Sequence, residues 1–157
     1  MSKSLSDLPS RIDAAQSWLE LDTISPHREL TSIEGLVREA CSLVHDEAHA
    51  RSLYLVPVPV DDEIVIAREH VVFVLAMLLR GAIGAVPEGA RVAITGQPMD
   101  RDVVFGVYDS GPHRTRPTQF GYVARQVAYA LGGYVWTGDT AKGNLAMFSL
   151  PLWAGTN

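Results

Sequence analysis

Groups able to do chemistry are few in this chain, and their spacing narrows what they could do. His45 and His49 stand four apart in His45-Asp46-Glu47-Ala48-His49, so a helix would set both imidazoles on one face, where a pair can chelate zinc. No third ligand is evident, and Asp46 stands where a hydrolytic zinc helix carries glutamate. The pair also falls on the polar face of an amphipathic pattern, where two solvated side chains are the plainer reading. Asp109-Ser110-Gly111-Pro112 follows an apolar run and is ideal turn chemistry. Arg114 and Arg116, in the loop beyond it, would meet an anion or a partner's acidic face, unless they are merely solvated. Cys41 is the only cysteine, which leaves no internal disulfide and no thiolate metal cluster. It lies near an apolar helix stripe, where a buried, inert thiol is the default. No serine–histidine–acid arrangement can be argued from spacing.

The element that must position these groups runs from His70 to Gly89. Val71 to Leu79 is unbroken apolar sequence, and Ala82, Ile83, Ala85 and Val86 extend it past Arg80. Apolar residues on every side, over such a length, predict a buried helix rather than a strand. Pro87 ends it and pushes Val86 out of the helical region. Gly81 and Gly84 each cost about 1 kcal/mol in a helix interior, which predicts a close approach to the backbone there.

In chain order, Leu5, Leu8, Ile12, Ala15 and Leu19 fall at helical spacing and predict a short amphipathic helix. Its stripe, with Leu8, Ile12 and Leu19 as the interaction candidates, must be covered by the domain or by a second copy. After a break at residues 22–26, Thr31 and Glu34 have capping-box spacing, and one apolar stripe predicts a helix over 32–50. Residues 51–60 read as a strand, placed at a sheet edge by Pro57 and Pro59. Residues 63–67 are either a short strand or the lead-in to the core helix. Strands follow at 90–96 and 103–108 around a turn at 97–100, then a helix at 120–131 stopped by Gly132-Gly133. Strands at 134–137 and 145–152 complete the chain.

Strand pairs with helices between them predict an α/β fold, a two-layer α/β sandwich with a mixed sheet covered on one face by helices. Two regions are expected: an N-terminal helix and linker over 1–30 and a domain over 31–157. With 47% hydrophobic and 20% charged residues in 157, the composition is that of an ordinary globular chain. A net charge of −5 argues against nonspecific nucleic-acid binding. No signal-peptide region is apparent, and Arg80 cuts the longest apolar run short of a bilayer span, so a cytoplasmic protein without membrane association is expected.

The core helix, the Asp109-Ser110-Gly111-Pro112 turn, and Ala130-Leu131-Gly132-Gly133-Tyr134-Val135 through Leu150-Pro151 together resemble the ATP-binding domain of sensor histidine kinases. That domain shares the GHKL or Bergerat fold with gyrase-type ATPases, MutL and a heat-shock chaperone. The resemblance spans roughly Ile33 to Leu152 and rests on the order and spacing of several weak motifs.

The family's magnesium-binding helix has a pattern like N-L-L-x-N-A, matched here by Met77-Leu78-Leu79-Arg80-Gly81-Ala82. Met77 and Gly81 supply no hard oxygen ligand where Mg²⁺ requires one. In the adenine turn, D-x-G-x-G, Asp109 and Gly111 match, and His113 replaces the second glycine. The resemblance makes Asp109 the acceptor for the adenine amino group. The ATP lid is shortened, and the phosphate-loop glycines fall at Thr118 and Phe120, which cannot form a bare-backbone nest. In the last strand pair, Asn144 stands where the family has a threonine that helps fix adenine.

The resemblance therefore implies vestigial nucleotide-site positions at Asp109, Gly111, Gly81 and Asn144, with no catalytic residue, metal site or obligate cofactor, although weak ATP or Mg²⁺ binding stays open. It implies a pseudo-kinase that docks a response-regulator receiver domain or a kinase, with a homodimer through the N-terminal helix. The alternative is a nucleotide-binding domain whose phosphoacceptor part lies on another chain. His27, in Ser25-Pro26-His27-Arg28-Glu29-Leu30, is similar only faintly to a phosphoacceptor box; Pro26 precedes it and no helix pair surrounds it.

Overall fold

The computed structural model describes residues 27–58, 60–114 and 118–152. It opens with β1 (Glu29–Ser32), a strand that the sequence pattern did not announce. Of its four residues only Thr31 is buried, so there is no apolar alternation to read. β1 pairs antiparallel with β3 (Glu63–Ile66) as a two-stranded ribbon separate from the main sheet, and it crosses the 30/31 position.

Ser32 caps α1 (Ile33–Leu43), its Oγ accepting from Gly35 N at 3.1 Å. Thr31, which capping-box spacing picked for that role, sits one residue too early; its Oγ1 donates to the Glu29 carbonyl at 3.1 Å. The single helix expected over 32–50 is two. Val44 (φ −112°, ψ 9°) ends α1, and α2 (His45–Ala50) restarts beyond it. The break keeps Val44 and Ala48 both in the core and turns Glu47 toward Arg80, whose Nε lies 3.0 Å from each carboxylate oxygen.

The buried helix is α3 (Arg68–Ala85), with the side chains of Val71, Val74, Leu75, Met77 and Leu79 all out of solvent. Val86 is extended before Pro87, as proline chemistry requires. The Arg51 guanidinium donates to the carbonyls of Ile83 and Val86, satisfying groups that a helix C-terminus leaves orphaned.

The main sheet has the order β2-β4-β5-β7-β6. β2 (Tyr54–Pro57) lies at one edge, as its proline implied, and runs parallel to β4 (Arg91–Met99). β4 pairs antiparallel with β5 (Asp102–Asp109) through a hairpin at Asp100-Arg101, where Asp100 has φ 61°. The turn expected at 97–100 is mostly strand. Pro98 is tolerated because β2 reaches only as far as Ile94, leaving that end of β4 as an edge.

α4 (Gln119–Ala130) starts at Thr118, whose Oγ1 accepts from Gly121 N at 2.9 Å. It ends in a Schellman motif: Gly132 N bonds the Tyr129 carbonyl at 3.0 Å, and Gly133 N bonds that of Ala128 at 2.9 Å. β6 (Tyr134–Thr140) and β7 (Gly143–Pro151) form the last hairpin, both longer toward their shared turn than the pattern indicated.

Strand side chains at alternate positions (Ile94, Phe105, Val107, Phe148 and Leu150) meet the helices, and Phe105 and Phe148 stack with centroids 5.8 Å apart. The result is the expected two-layer sandwich, a five-stranded mixed sheet packed against helices. No helix among the described residues is long and apolar enough to cross a membrane.

Candidate functional site

Asp109 closes β5 and Asn144 opens β7, and the register sets them opposite each other. Gly143 allows the approach, since a Cβ there would lie 1.9 Å from the Asp109 carbonyl oxygen. Both side chains are buried, and every polar atom of the pair is used within the chain. Asn144 Nδ2 donates to Asp109 Oδ1 at 3.0 Å and to the Pro112 carbonyl at 2.8 Å. Gly111 N donates to the same Oδ1 at 3.0 Å. Arg114 takes the other oxygen, its Nη2 lying 2.8 Å from Asp109 Oδ2, while its backbone N donates to Asn144 Oδ1 at 3.1 Å. The Asp109 side chain is only 1% exposed in this ion pair, so the pair is a desolvated, charge-assisted contact. The turn is thus locked onto β7 by one carboxylate, one amide and one guanidinium.

Gly81 marks the second half of the site. A Cβ on it would lie 2.4 Å from Thr118 Oγ1, the cap of α4. The N-terminus of α4 therefore rests on the spot where a side chain at position 81 would project. Met77, one turn earlier, is buried in the core. Gly84, which carried the same expectation of close approach, is exposed, and a Cβ added to it would meet nothing within 4 Å.

Between α3, α4, β6 and β7 lies a cavity of about 130 Å³ whose lining includes Gly81, Arg114, Thr118, Arg125, Thr137 and Asn144. Leu78, Ala82, Val135 and Ala146 give it apolar walls. Of the four nucleotide-site candidates, Gly81 and Asn144 line this cavity. Asp109 and Gly111 do not line it; the Asp109 carboxylate bonds instead to Gly111, Arg114 and Asn144. Arg114, read from the sequence as a loop residue facing outward, is turned inward to Asp109. Thr118 and Arg125 complete the lining without having been singled out as ligand contacts. His113 Nε2 lies 3.3 Å from the Thr140 carbonyl at the end of β6.

Leu8, Ile12, Leu19 and Arg116 lie outside the described residues. The rings of His45 and His49 stack 5.9 Å apart, and no group of three or more His, Cys, Asp or Glu side chains able to hold a metal occurs among the described residues. Cys41 is partly buried; desolvation raises its thiol pKa, against the opposing pull of the Arg38 guanidinium.

No protein-family model and no curated protein matches this sequence. Solved structures do. The Acinetobacter baumannii histidine kinase AdeS superposes with a TM-score of 0.80 at 16% identity, over 96% of this chain and 79% of that one. The catalytic domain of histidine kinase ThkA gives 0.69 at 21% identity, over 80% and 97% of the two chains. ThkA in complex with the response regulator TrrA gives 0.71 at 20% identity, covering 99% of this chain and 51% of that one.

Proposed function

We propose that this chain, which has the fold of histidine-kinase catalytic domains as its motif order implied, is a degenerate member of that fold. It has lost ATP chemistry and serves two-component signalling as a protein-binding module for a receiver domain. The observation that carries this reading is the Asp109 carboxylate, whose two oxygens are already held by Gly111, Asn144 and Arg114. A base amino group would have to compete with the Arg114 guanidinium for Oδ2 on a side chain only 1% exposed, and displacing that guanidinium would break a buried pair, which costs about 3–5 kcal/mol.

The donor set does not suit magnesium triphosphate either. Met77 and Gly81 offer no oxygen, and the Thr118 hydroxyl that packs on Gly81 already caps α4. Phosphoryl transfer depends on positioning and charge neutralisation by such groups, so a chain without them has little to contribute to catalysis. The receiver-domain partner is supported by ThkA, whose solved complex with a response regulator this chain resembles in fold.

Titrating immobilised protein with purified receiver domains tests the docking half. Saturable binding to at least one of them is expected. No binding at concentrations of about 100 μM, beyond the usual weak signalling range, would remove the partner assignment.

A second reading keeps nucleotide binding and places the phosphoacceptor on another chain. The cavity favours it, because its apolar walls lie between α3 and the last hairpin. Its volume of about 130 Å³ counts against it, being below the ~300–1,000 Å³ usual for ligand pockets.

A further inference from the structure

β6 is the last strand of the sheet, and among the described residues nothing pairs with its outer side. The two sheet edges are treated differently. β2 is four residues long and ends in Pro57, a form that blunts pairing. β6 runs seven residues and contains no proline. A groove of about 490 Å³ follows it, lined by Arg125 and Tyr129 of α4 and by Tyr134, Val135, Trp136 and Thr137. Successive residues of a strand point to opposite faces, so a groove that touches four in a row lies along the strand's free edge. Tyr129 and Tyr134 are 73% and 64% exposed, and their rings meet edge to face. Among the described residues lining the groove, Arg125 carries the only charge.

We infer that this groove takes an extended peptide segment of a partner protein, added as a further strand to β6. Main-chain hydrogen bonds to the edge would supply affinity, and alternate side chains would supply selectivity. On the helix-side face the added strand passes Arg125, which selects acidic residues. On the open face it passes Tyr134 and Trp136, which select apolar or aromatic ones. The preferred segment alternates acidic and apolar residues. Charge complementarity and main-chain pairing separate this occupant from two others. A second copy pairing β6 to β6 would bring two Arg125 guanidinium groups toward one another. Single-stranded nucleic acid could also meet Arg125, but it has no ladder of main-chain N–H and C=O groups to pair with the free edge of β6. This surface adjoins the cavity at Asn144, sharing Arg125, Val135 and Thr137 with it, and extends past it along the outer edge of β6 through Tyr129, Tyr134 and Trp136.

The probe is a fluorescein-labelled peptide of about ten residues alternating valine and glutamate, long enough to span an ordinary strand. Its lysine counterpart and a version N-methylated at alternate residues serve as controls. Anisotropy should show saturable binding of the glutamate peptide to the whole chain, weakened at least about tenfold by N-methylation and by Arg125→Glu. The Arg125→Glu variant should in turn prefer the lysine peptide. Outward-facing amides of β6 should gain hydrogen-exchange protection on binding. The inference is overturned if the glutamate and lysine peptides bind alike, if the methylated peptide binds as well as the parent, or if no peptide binds. It is overturned equally if β6 amides become protected by self-association without peptide, or if a single-stranded oligonucleotide competes better than the peptide.

Discussion

Arg114 is the side chain on which the site's character turns. Removing it leaves the Asp109 carboxylate buried with one oxygen bare, and breaking a buried pair in this way costs about 3–5 kcal/mol. Arg114→Ala should therefore lower the denaturant midpoint strongly with an unchanged slope, which urea unfolding would read. Replacing Asp109 and Arg114 together by apolar residues should cost less than the sum of the single changes, because neither charge is then stranded. Little of this was legible in the sequence. Asp109-Ser110-Gly111-Pro112 announces a turn, and the resemblance marked Asp109 as a ligand acceptor. Nothing in the spacing says that an arginine five residues on folds back to occupy it, because loop conformation is set by tertiary partners rather than by periodicity. Cys41 makes a smaller prediction. Its thiol titrates higher in the folded chain than in the unfolded one, because burial disfavours the thiolate. The neutral thiol's contribution is complete below the unfolded pKa, about 8.5, and fades as pH rises through the folded value. The stability difference between the wild type and Cys41→Ala should shrink across that alkaline range.

The contact of α3 with α4 shows what a helix-end residue can decide. Gly81→Asn would supply the oxygen that the magnesium-binding pattern calls for, yet its Cβ would collide with Thr118 Oγ1. Overpacking of this kind costs about 1–3 kcal/mol, set against about 1 kcal/mol gained on leaving glycine in a helix. Net destabilisation is expected by calorimetry, with no nucleotide binding gained. Thr118→Ala should cost about 1 kcal/mol for the lost cap, and the two changes should couple because they share one contact. α3 was readable because its apolar run is long and Pro87 ends it. α4 was readable from Val123, Val127 and the two glycines after it. The interruption at Val44 was not, since the apolar stripe continues across it from Ala40 to Val44 and Ala48, all buried in the fold. β1 escaped for the opposite reason: a strand with one buried residue has no pattern.

Taken whole, the molecule has the sandwich fold of histidine-kinase catalytic domains, and Asp109, Gly111 and Asn144, the groups proposed as vestigial nucleotide contacts, bond to one another. The order of helices and strands carried that architecture in the sequence, because buried α3 and the alternating strands can satisfy their apolar faces in few other ways. Assembly is where the termini enter. The stripe of Leu8, Ile12 and Leu19 is proposed to pair two copies, so deleting residues 1–22 should convert a dimer to a monomer in sedimentation. An unchanged mass and stability would remove that role. The proposal that matters most is the loss of ATP chemistry, and calorimetric titration of the whole chain with ATP and ADP, with and without Mg²⁺, addresses it directly. A site closed by Arg114 and Thr118 predicts no heat of binding at millimolar nucleotide. Micromolar, Mg²⁺-dependent binding that Asp109→Ala abolishes would contradict it and restore this chain to the nucleotide-binding domains.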